Sequence, residues 1–405
     1  MTNCELALEV IRKLQESGHQ ALLAGGCVRD QLMSVAPKDY DVATSANPDQ
    51  VQELFGRRRT LAIGKSFGVI TVLGPKEAGQ IEVATFRKDG GYSDGRRPDS
   101  VSFTDACNDA LRRDFTINGM YFDPVTNQVH DYVNGQADLD AEVIRAIGDP
   151  EKRIEEDKLR MLRAVRFTAR FGFALEAETA AAIRRHAREI RQVSGERIGA
   201  EMRRMMEHES RADAARLLVE CGLLSEILDG AELLTGNRAN WKTRLKWLKG
   251  LGNVTFEVAA TVLLGPVIKE YGIDPVALRW KLSNAEQDSI FWMENNWVTL
   301  MRAASLPWSE VQPLLIHADV NGALQIAEVA GGADQVGVKF CQKRLEWPQQ
   351  KLDPLPLVDG ATLKEMGLQP GPEFGRILSA VRGAQLDGKV ATKEQAIGMV
   401  REMQM

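Results

Sequence analysis

Cysteine, histidine and tyrosine are scarce in this chain, with five of each in 405 residues. Cys4, Cys27, Cys107, Cys221 and Cys341 are scattered and form no Cys-x-x-Cys pair, which argues against a disulfide framework or a structural zinc site and for a reducing cytoplasm. The histidines (His19, His130, His186, His208 and His317) are too dispersed for an HDxxxH-type phosphohydrolase motif, so an appended hydrolase domain is not expected. No run of 18 apolar residues occurs, and hence no membrane span is expected. The opening MTNCELALEVIRKLQESG reads as an amphipathic helix ending at Gly18, not as a signal peptide. Low-complexity segments and internal repeats are absent. A strong excess of one charge is missing too: 51 Lys/Arg stand against 56 Asp/Glu, a formal −5. Residues 151–204 nevertheless hold 14 Lys/Arg against 9 Asp/Glu, a local +5, and a basic belt on an acidic protein can still bind a polyanion.

The missing residues also divide the chain. No tryptophan occurs before residue 240, and all seven lie beyond it. The front half carries strand-like ALLAG, DYDVAT, GVITVLG and QIEVATF between turn residues. After about residue 150, long helical patterns take over, such as EEDKLRMLRAVRFTARF and ALEAETAAAIRRHAREIRQ. The length calls for two to four domains. The expected seam lies near Gly148–Pro150, with a further break in the proline-rich WPQQKLDPLPLVDG at 347–360.

The stretch ALLAGGCVRDQLMSVAPKDYDVATS, residues 21–45, carries the first chemistry. Side chains alternate along a strand, so Asp39 and Asp41 are expected on one face. If QIEVATF is the neighbouring strand, Glu82 joins them in a three-carboxylate cluster. Such oxygen ligands suit Mg²⁺, and two bridged metals can activate one oxygen and stabilise another. An Asp-x-Asp alone is more often a solvated strand edge or a capping Asp. The glycines sharpen it: a strand, then Gly25-Gly26, then a helix puts free backbone N–H groups at a positive helix end, where phosphate can approach closely. Arg29 adds charge-assisted bonds to phosphate oxygens. A phosphate cradle followed 13 residues later by Asp-x-Asp reads as nucleotidyl transfer.

LRRDFTINGM, residues 111–120, supplies Arg112 and Arg113 for a triphosphate, and Asp114 or Asn118 for sugar hydroxyls. An exposed ion-paired turn is the plain alternative. In the helix expected over EEDKLRMLRAVRFTARF, Asp157 and Arg160 fall about 60° apart on one face. Arg163, Arg166 and Arg170 cluster beside them, and Met161, Leu162, Val165 and Ala169 form the buried stripe. Asp157 and Arg160 present an acceptor beside donors, which imitates a pairing base. Cytosine and adenine carry the exocyclic amine that Asp157 would accept from, whereas uracil and guanine carry a carbonyl.

Together these segments resemble the class II tRNA nucleotidyltransferases, the CCA-adding enzymes, within the polymerase-β-like superfamily. GGCVRD (25–30, including Asp30) with DYD (39–41), RRDFTING (112–119), DYVNGQADLDAEVIRAIGDP (131–150), EDKLR (156–160) and ERIGAEM (196–202) follow the family's motif order over about 180 residues. The resemblance implies an α+β head with a mixed sheet (residues 1–148), then an all-α neck (149–215), body (216–346) and tail (347–405). It implies Mg²⁺-dependent, template-independent transfer from CTP and ATP to a tRNA 3′ end. Asp39 and Asp41 would hold metal with Glu82 as the third catalytic carboxylate. Gly25, Gly26, Arg29 and Asp30 would handle nucleotide with Arg112, Arg113, Asp114 and Asn118. Asp157 and Arg160 would read the base, with Arg163 and Arg166 beside it. The basic stripe Arg163, Arg166 and Arg170 would touch RNA, and body and tail would hold the acceptor arm. PLVDGATLKEMGLQPGPEFGRIL (356–378) resembles the family's tail, where Pro372-Glu373 suits a helix start. No membrane or protein partner is implied.

Relatives with narrower tasks make the alternatives. Poly(A) polymerases usually carry a long basic C-terminal extension, whereas this chain ends in VREMQM. CC-adding relatives usually have a shortened loop, whereas RKDGGYSDGRRPDSVSF (87–103) is full length, with Arg87, Arg96 and Arg97. A-adding enzymes keep loop and motifs alike. A non-catalytic RNA adaptor would not need Asp39, Asp41, Asp157 and Arg160, and a small-molecule nucleotidyltransferase would not need EDxxR.

Overall fold

The computed structural model describes residues 1–91 and 100–404. The chain forms two compact units, Met1–Met205 with Asp213–Asp229, and Met206–Ala212 with Gly230–Met405.

The first unit opens with α1 (Asn3–Glu16), started by a capping box in which Thr2 and Glu5 satisfy each other's backbone N–H. Leu6, Ala7, Val10, Ile11 and Leu14 recur at three- and four-residue steps, so one face of α1 is buried, packed on the sheet. Seven strands form that sheet: β1 (Ala21–Ala24), β2 (Asp41–Thr44), β3 (Thr60–Leu61), β4 (Val69–Leu73), β5 (Gln80–Thr85) and, after the ribbon of β6 (Arg87–Asp89) and β7 (Val101–Phe103), β8 (Tyr121–Asp123) and β9 (Gln128–His130). Their order is β3-β4-β5-β2-β1-β8-β9. The β2–β5 pair is parallel and the other neighbours are antiparallel, which makes the sheet mixed as expected. In the parallel register Asp41 lies opposite Glu82.

Helices α2 (Gly26–Leu32), α3 (Pro48–Phe55), α4 (Ala106–Leu111) and α5 (Gly135–Asp140) complete the mixed part. The seam expected at Gly148–Pro150 is not a boundary between units. β10 (Val143–Ile144) pairs in parallel with β11 (Ala174–Leu175) across it, and Phe115 meets Phe167 edge-on at 5.7 Å. These contacts bind α6 (Pro150–Glu156), α7 (Arg160–Phe171), α8 (Ala177–His186) and the start of α9 (Gly195–Glu207) into the same unit.

Two expected helices are shorter than their patterns. The helix over residues 155–171 is broken: α6 ends at Glu156, Asp157 adopts an extended conformation (φ −149°, ψ 103°), and α7 begins at Arg160. The pattern ALEAETAAAIRRHAREIRQ yields α8 followed by a 3₁₀ segment, Ala187–Gln192.

The second unit has no strand among its described residues. Its longer helices are Arg238–Gly250, Phe256–Tyr271, Asn284–Met301, Val320–Gly331 and Pro372–Leu386, the last with the expected Pro372 in its first turn. The break at 347–360 lies inside this unit, but the segment beyond it has its own cluster of buried side chains, among them Leu363, Ile377, Val381, Ala396 and Val400.

Candidate active site

A cleft of about 610 Å³ opens in the first unit. One wall begins where β1 ends. Gly25 has φ 71°, a conformation L side chains rarely adopt, and a Cβ there would lie 2.9 Å from the Arg113 guanidinium. Glycine is therefore required by the turn, and any larger residue would also displace the tip of the Arg113 side chain. Gly26 lines the same wall. Arg29, 4% exposed, stacks at 4.5 Å from the Phe171 ring centre and donates to Asn118 Oδ1 and Asp30 Oδ1. Burial lowers its proton affinity while Asp30 partly restores it.

Asp39 and Asp41 face the cleft. Asp41 is the first residue of β2, whereas Asp39 sits in the loop before the strand. Strand alternation therefore does not orient Asp39. Desolvation raises the Asp41 carboxyl above its ordinary range, and the charges of Glu82 and Asp39 add to the rise while Arg113 opposes it. The expected three-carboxylate cluster is not preformed. Among the described residues, no three acidic, thiol or imidazole groups converge as a metal site, and Glu82 does not line the cleft. Glu82 acts on Asp41 from the neighbouring strand instead.

The opposite wall is cationic, and the residue that organises it was missed in the sequence. Asp109, 1% exposed on α4, accepts from the Arg87 N–H at 3.1 Å, Arg112 at 2.7 and 2.9 Å, Arg113 at 3.2 and 3.3 Å, and the Tyr121 hydroxyl at 2.6 Å. Burial works against its charge, but Arg113 and then Arg112 outweigh it, and its carboxyl falls below the usual range. The signal was an acid three and four residues before two arginines on a helical pattern. Asp109→Asn removes the buried carboxylate that both guanidinium groups share, leaving Arg112 a longer pair with Asp89 and Arg113 only neutral partners, so a loss of stability on the order of 3 kcal/mol is expected in denaturant titration. An unchanged midpoint would show that the arginines hold themselves in place.

Asp114 and Asn118 join this wall: Asn118 bridges from Arg29 to Asp114, and Asp114 accepts a 2.9 Å bond from Arg163 Nε. Burial would raise the Asp114 carboxyl, yet Arg163, the Phe115 N–H and Asn118 hold it at about 2. A depressed folded-state pKa contributes stability at neutral pH that is lost as pH falls from the ordinary 3.8 through about 2. Asp114→Asn is therefore expected to flatten the acid limb of the stability–pH curve by on the order of 2 kcal/mol. An identical limb in the variant would assign acid sensitivity elsewhere.

The helix break changes how Asp157 and Arg160 meet the cleft. Both line it, but not as neighbours on one helical face. The Asp157 carboxylate is clamped by Arg197 of α9 through bonds of 3.0 and 2.7 Å. Arg160 donates to Glu156 at 2.7 Å and to the Arg112 carbonyl at 3.1 Å. Arg197, in ERIGAEM, is a second residue that local periodicity could not assign.

The three arginines expected as one exposed stripe take three different environments. Arg163 pairs with Asp114, and Arg166, 9% exposed, pairs with buried Glu201 at 2.6 Å. Only Arg170 is exposed, lying over Phe171. Helical spacing sets angles but not the acids that arrive from other elements. Asp30, Glu82 and Arg170 are the expected site residues that do not line the cleft. Arg87 lies at the base of the β6–β7 ribbon, whereas Arg96 and Arg97 fall outside the described residues.

A mixed sheet bearing Asp-x-Asp across a cleft from a cationic wall defines a nucleotidyltransferase head. Residues 21–145 match the family described as the Poly A polymerase head domain, and residues 172–234 the one described as a probable RNA- and SrmB-binding site of polymerase A. A CCA-adding enzyme of Latilactobacillus sakei is 33% identical over 376 residues, 92% of this chain and 91% of that protein. The chain belongs to the CCA-adding enzyme family. A Bacillus subtilis CCA-adding enzyme is 43% identical over 222 residues, and the matched stretch spans about half, 55%, of each chain. The crystal structure of Bacillus stearothermophilus CCA-adding enzyme in complex with CTP is similar at TM-score 0.82 and 26% identity, with 100% of this chain and 98% of that one covered.

Proposed function

We propose that this protein rebuilds the 3′ end of tRNA, transferring CMP from CTP and AMP from ATP without a nucleic-acid template. The observation that carries the reading is a single cleft in which Asp39 and Asp41 face Arg29, Arg112 and Arg113. The RNA 3′-hydroxyl oxygen forms a bond to the α-phosphorus, and the bond to pyrophosphate breaks.

Asp39 and Asp41 bring two carboxylates to one cleft, the oxygen donors that Mg²⁺ takes, so these residues fit that ion. Asp39 and Asp41 would hold it, with Glu82 adding charge from the adjoining strand. Bound there, Mg²⁺ supplies charge compensation on phosphoryl oxygens and lowers the proton affinity of the attacking hydroxyl. Arg29, Arg112 and Arg113 bind the triphosphate, and Gly25 and Gly26 let it approach the backbone. Asp114 or Asn118 meets the ribose. Asp157 accepts from the exocyclic amine of cytosine or adenine, and Arg160 donates to the adjacent ring position, a pattern that uracil and guanine cannot satisfy. Arg163 and Arg166 fix the floor beside the base through Asp114 and Glu201, and Arg170 offers a free positive charge to RNA. Within the two compact units we assign head (1–148), neck (149–215), body (216–346) and tail (347–405), the last two holding the acceptor arm. All five cysteines are unpaired, in keeping with a cytoplasmic setting, and no helix among the described residues is long and apolar enough to cross a membrane.

The test is incubation with tRNA lacking its 3′ end, tRNA ending in C or CC, and unstructured RNA, with CTP and ATP separately and together. Addition of CCA to the truncated tRNA is expected. Addition of A to tRNA-CC alone would make it an A-adding enzyme, tailing of unstructured RNA a poly(A) polymerase, and no addition anywhere an RNA adaptor.

A further inference from the structure

Most guanidinium groups in the cleft are neutralised by carboxylates, as Arg112 and Arg113 are by Asp109, Arg163 by Asp114 and Arg166 by Glu201. One cluster in the second unit is built on the opposite plan. At the end of the helix Val336–Leu345, Arg344 lies over the rings of Phe340, Trp347 at 5.2 Å and Trp308 at 5.5 Å. Lys351 lies 4.0 Å from the centre of the Trp347 ring, and Trp308 and Trp347 are 5.5 Å apart. Arg344 makes a single long bond, 3.4 Å, to the Phe340 carbonyl, and its buried Nε has no partner. Burial lowers its proton affinity, and the Cys341 thiol restores it only in part.

An aromatic face fixes a cation by its quadrupole while leaving the N–H donors unspent and the charge uncancelled. Lys339 and Lys343 stand exposed on the same helix, one turn apart. Residues 336–351 thus carry four cations against one acid, Glu346, in a chain whose net charge is −5. Among the described residues none of the four makes an ion pair. A pre-positioned, uncompensated cation cluster calls for an anion, and its spread over two helical turns suits a polyanion better than a single phosphate.

We propose that Arg344 and Lys351, held in place by Phe340, Trp308 and Trp347 and extended by Lys339 and Lys343, form a docking surface for the phosphodiester backbone of RNA. The surface rests on the reading of this protein as a tRNA-modifying enzyme and assigns that contact to named residues. Because the aromatic faces are already covered by cations, it reads phosphate and not base.

The experiment uses the full chain and labelled tRNA lacking its 3′ end, titrated across a series of salt concentrations. Arg344→Gln with Lys351→Gln is expected to weaken binding about tenfold and reduce the salt slope by about one for each phosphate no longer engaged. The KM for tRNA should rise while the rate at saturating tRNA and the KM for CTP stay unchanged. Lys343→Gln, at an exposed position where folding is not at issue, should lower the slope on its own. Unchanged affinity and slope in both variants would overturn the surface, as would displacement of bound tRNA by low concentrations of inorganic phosphate. If the native protein binds tRNA through this surface but adds no nucleotide, the surface stands and the catalytic reading fails. If it adds CCA while the variants bind normally, the surface alone fails.

Discussion

Replacing Asp41 by Asn is expected to lower nucleotide incorporation by at least about 10³-fold, because on the proposed reading it removes a carboxylate that would hold Mg²⁺, and such charge compensation is worth several kcal/mol in phosphoryl transfer. The substitution is nearly isosteric. It removes a charge disfavoured first by burial and then by Glu82 and Asp39, so folding should be unharmed and thermal stability equal or higher. Binding of tRNA should persist, since no part of the cationic wall changes. Asp39→Asn should match it in rate, although Asp39 lies in a loop and its loss should leave the sheet untouched. Glu82→Gln belongs in the same series. If Glu82 acts only through its charge on Asp41, it should reduce the rate less than either aspartate substitution and shift the Mg²⁺ concentration needed for half-maximal rate. Measured single-turnover incorporation decides the matter: near-native turnover by Asp41→Asn would remove the two aspartates from the chemistry.

The second large effect is on choice of nucleotide. Asp157→Ala is expected to cut the preference for CTP and ATP over UTP and GTP by about 10²-fold or more, since a buried hydrogen-bonding site rejects a mismatched edge through the groups left unpaired. The clamp from Arg197 adds a second, graded variant. Arg197→Gln keeps the Asp157 carboxylate but loosens its two-point hold, so discrimination should fall by less while the rate with the correct nucleotide also declines. Competition between CTP and UTP for one tRNA measures both. Unaltered selectivity in Asp157→Ala would place base reading elsewhere in the cleft.

What the sequence disclosed was local. Alternation in QIEVATF and DYDVAT and the glycine pair after ALLAG indicated strands and a turn, and these recur as β5, β2 and the Gly25 bend. Asp157 escaped because the apolar stripe continues through a backbone break: Met161, Leu162 and Val165 are buried as expected while residue 157 has left the helix. Asp109 and Arg197 escaped for a different reason. Arg197 matters through Asp157, 40 residues away, and Asp109 gathers Arg87 and Tyr121 from 22 and 12 residues away onto its local pairs with Arg112 and Arg113, meetings that no period in the chain encodes. The basic stripe failed likewise, because Asp114 and Glu201 arrive from separate elements to neutralise it.

The parallel pairing of β2 with β5 also governs when the site comes into being. Parallel neighbours cannot be joined by a tight turn, and here α3, β3 and β4 intervene between Asp41 and Glu82. Closing that loop costs entropy before any pairing is gained. Arg163 then reaches Asp114 across 49 residues, and Arg197 reaches Asp157 across 40. A nascent chain can therefore form the Gly25 bend early and supply every residue that lines the cleft once Phe167 is made, but Asp157 has no clamp until Arg197 of α9 has been synthesised and packed. On the proposed reading, a chain that stops short of α9 would keep its cationic wall but lack a fixed base-reading carboxylate, so it would lose choice of nucleotide before it lost the means to bind one.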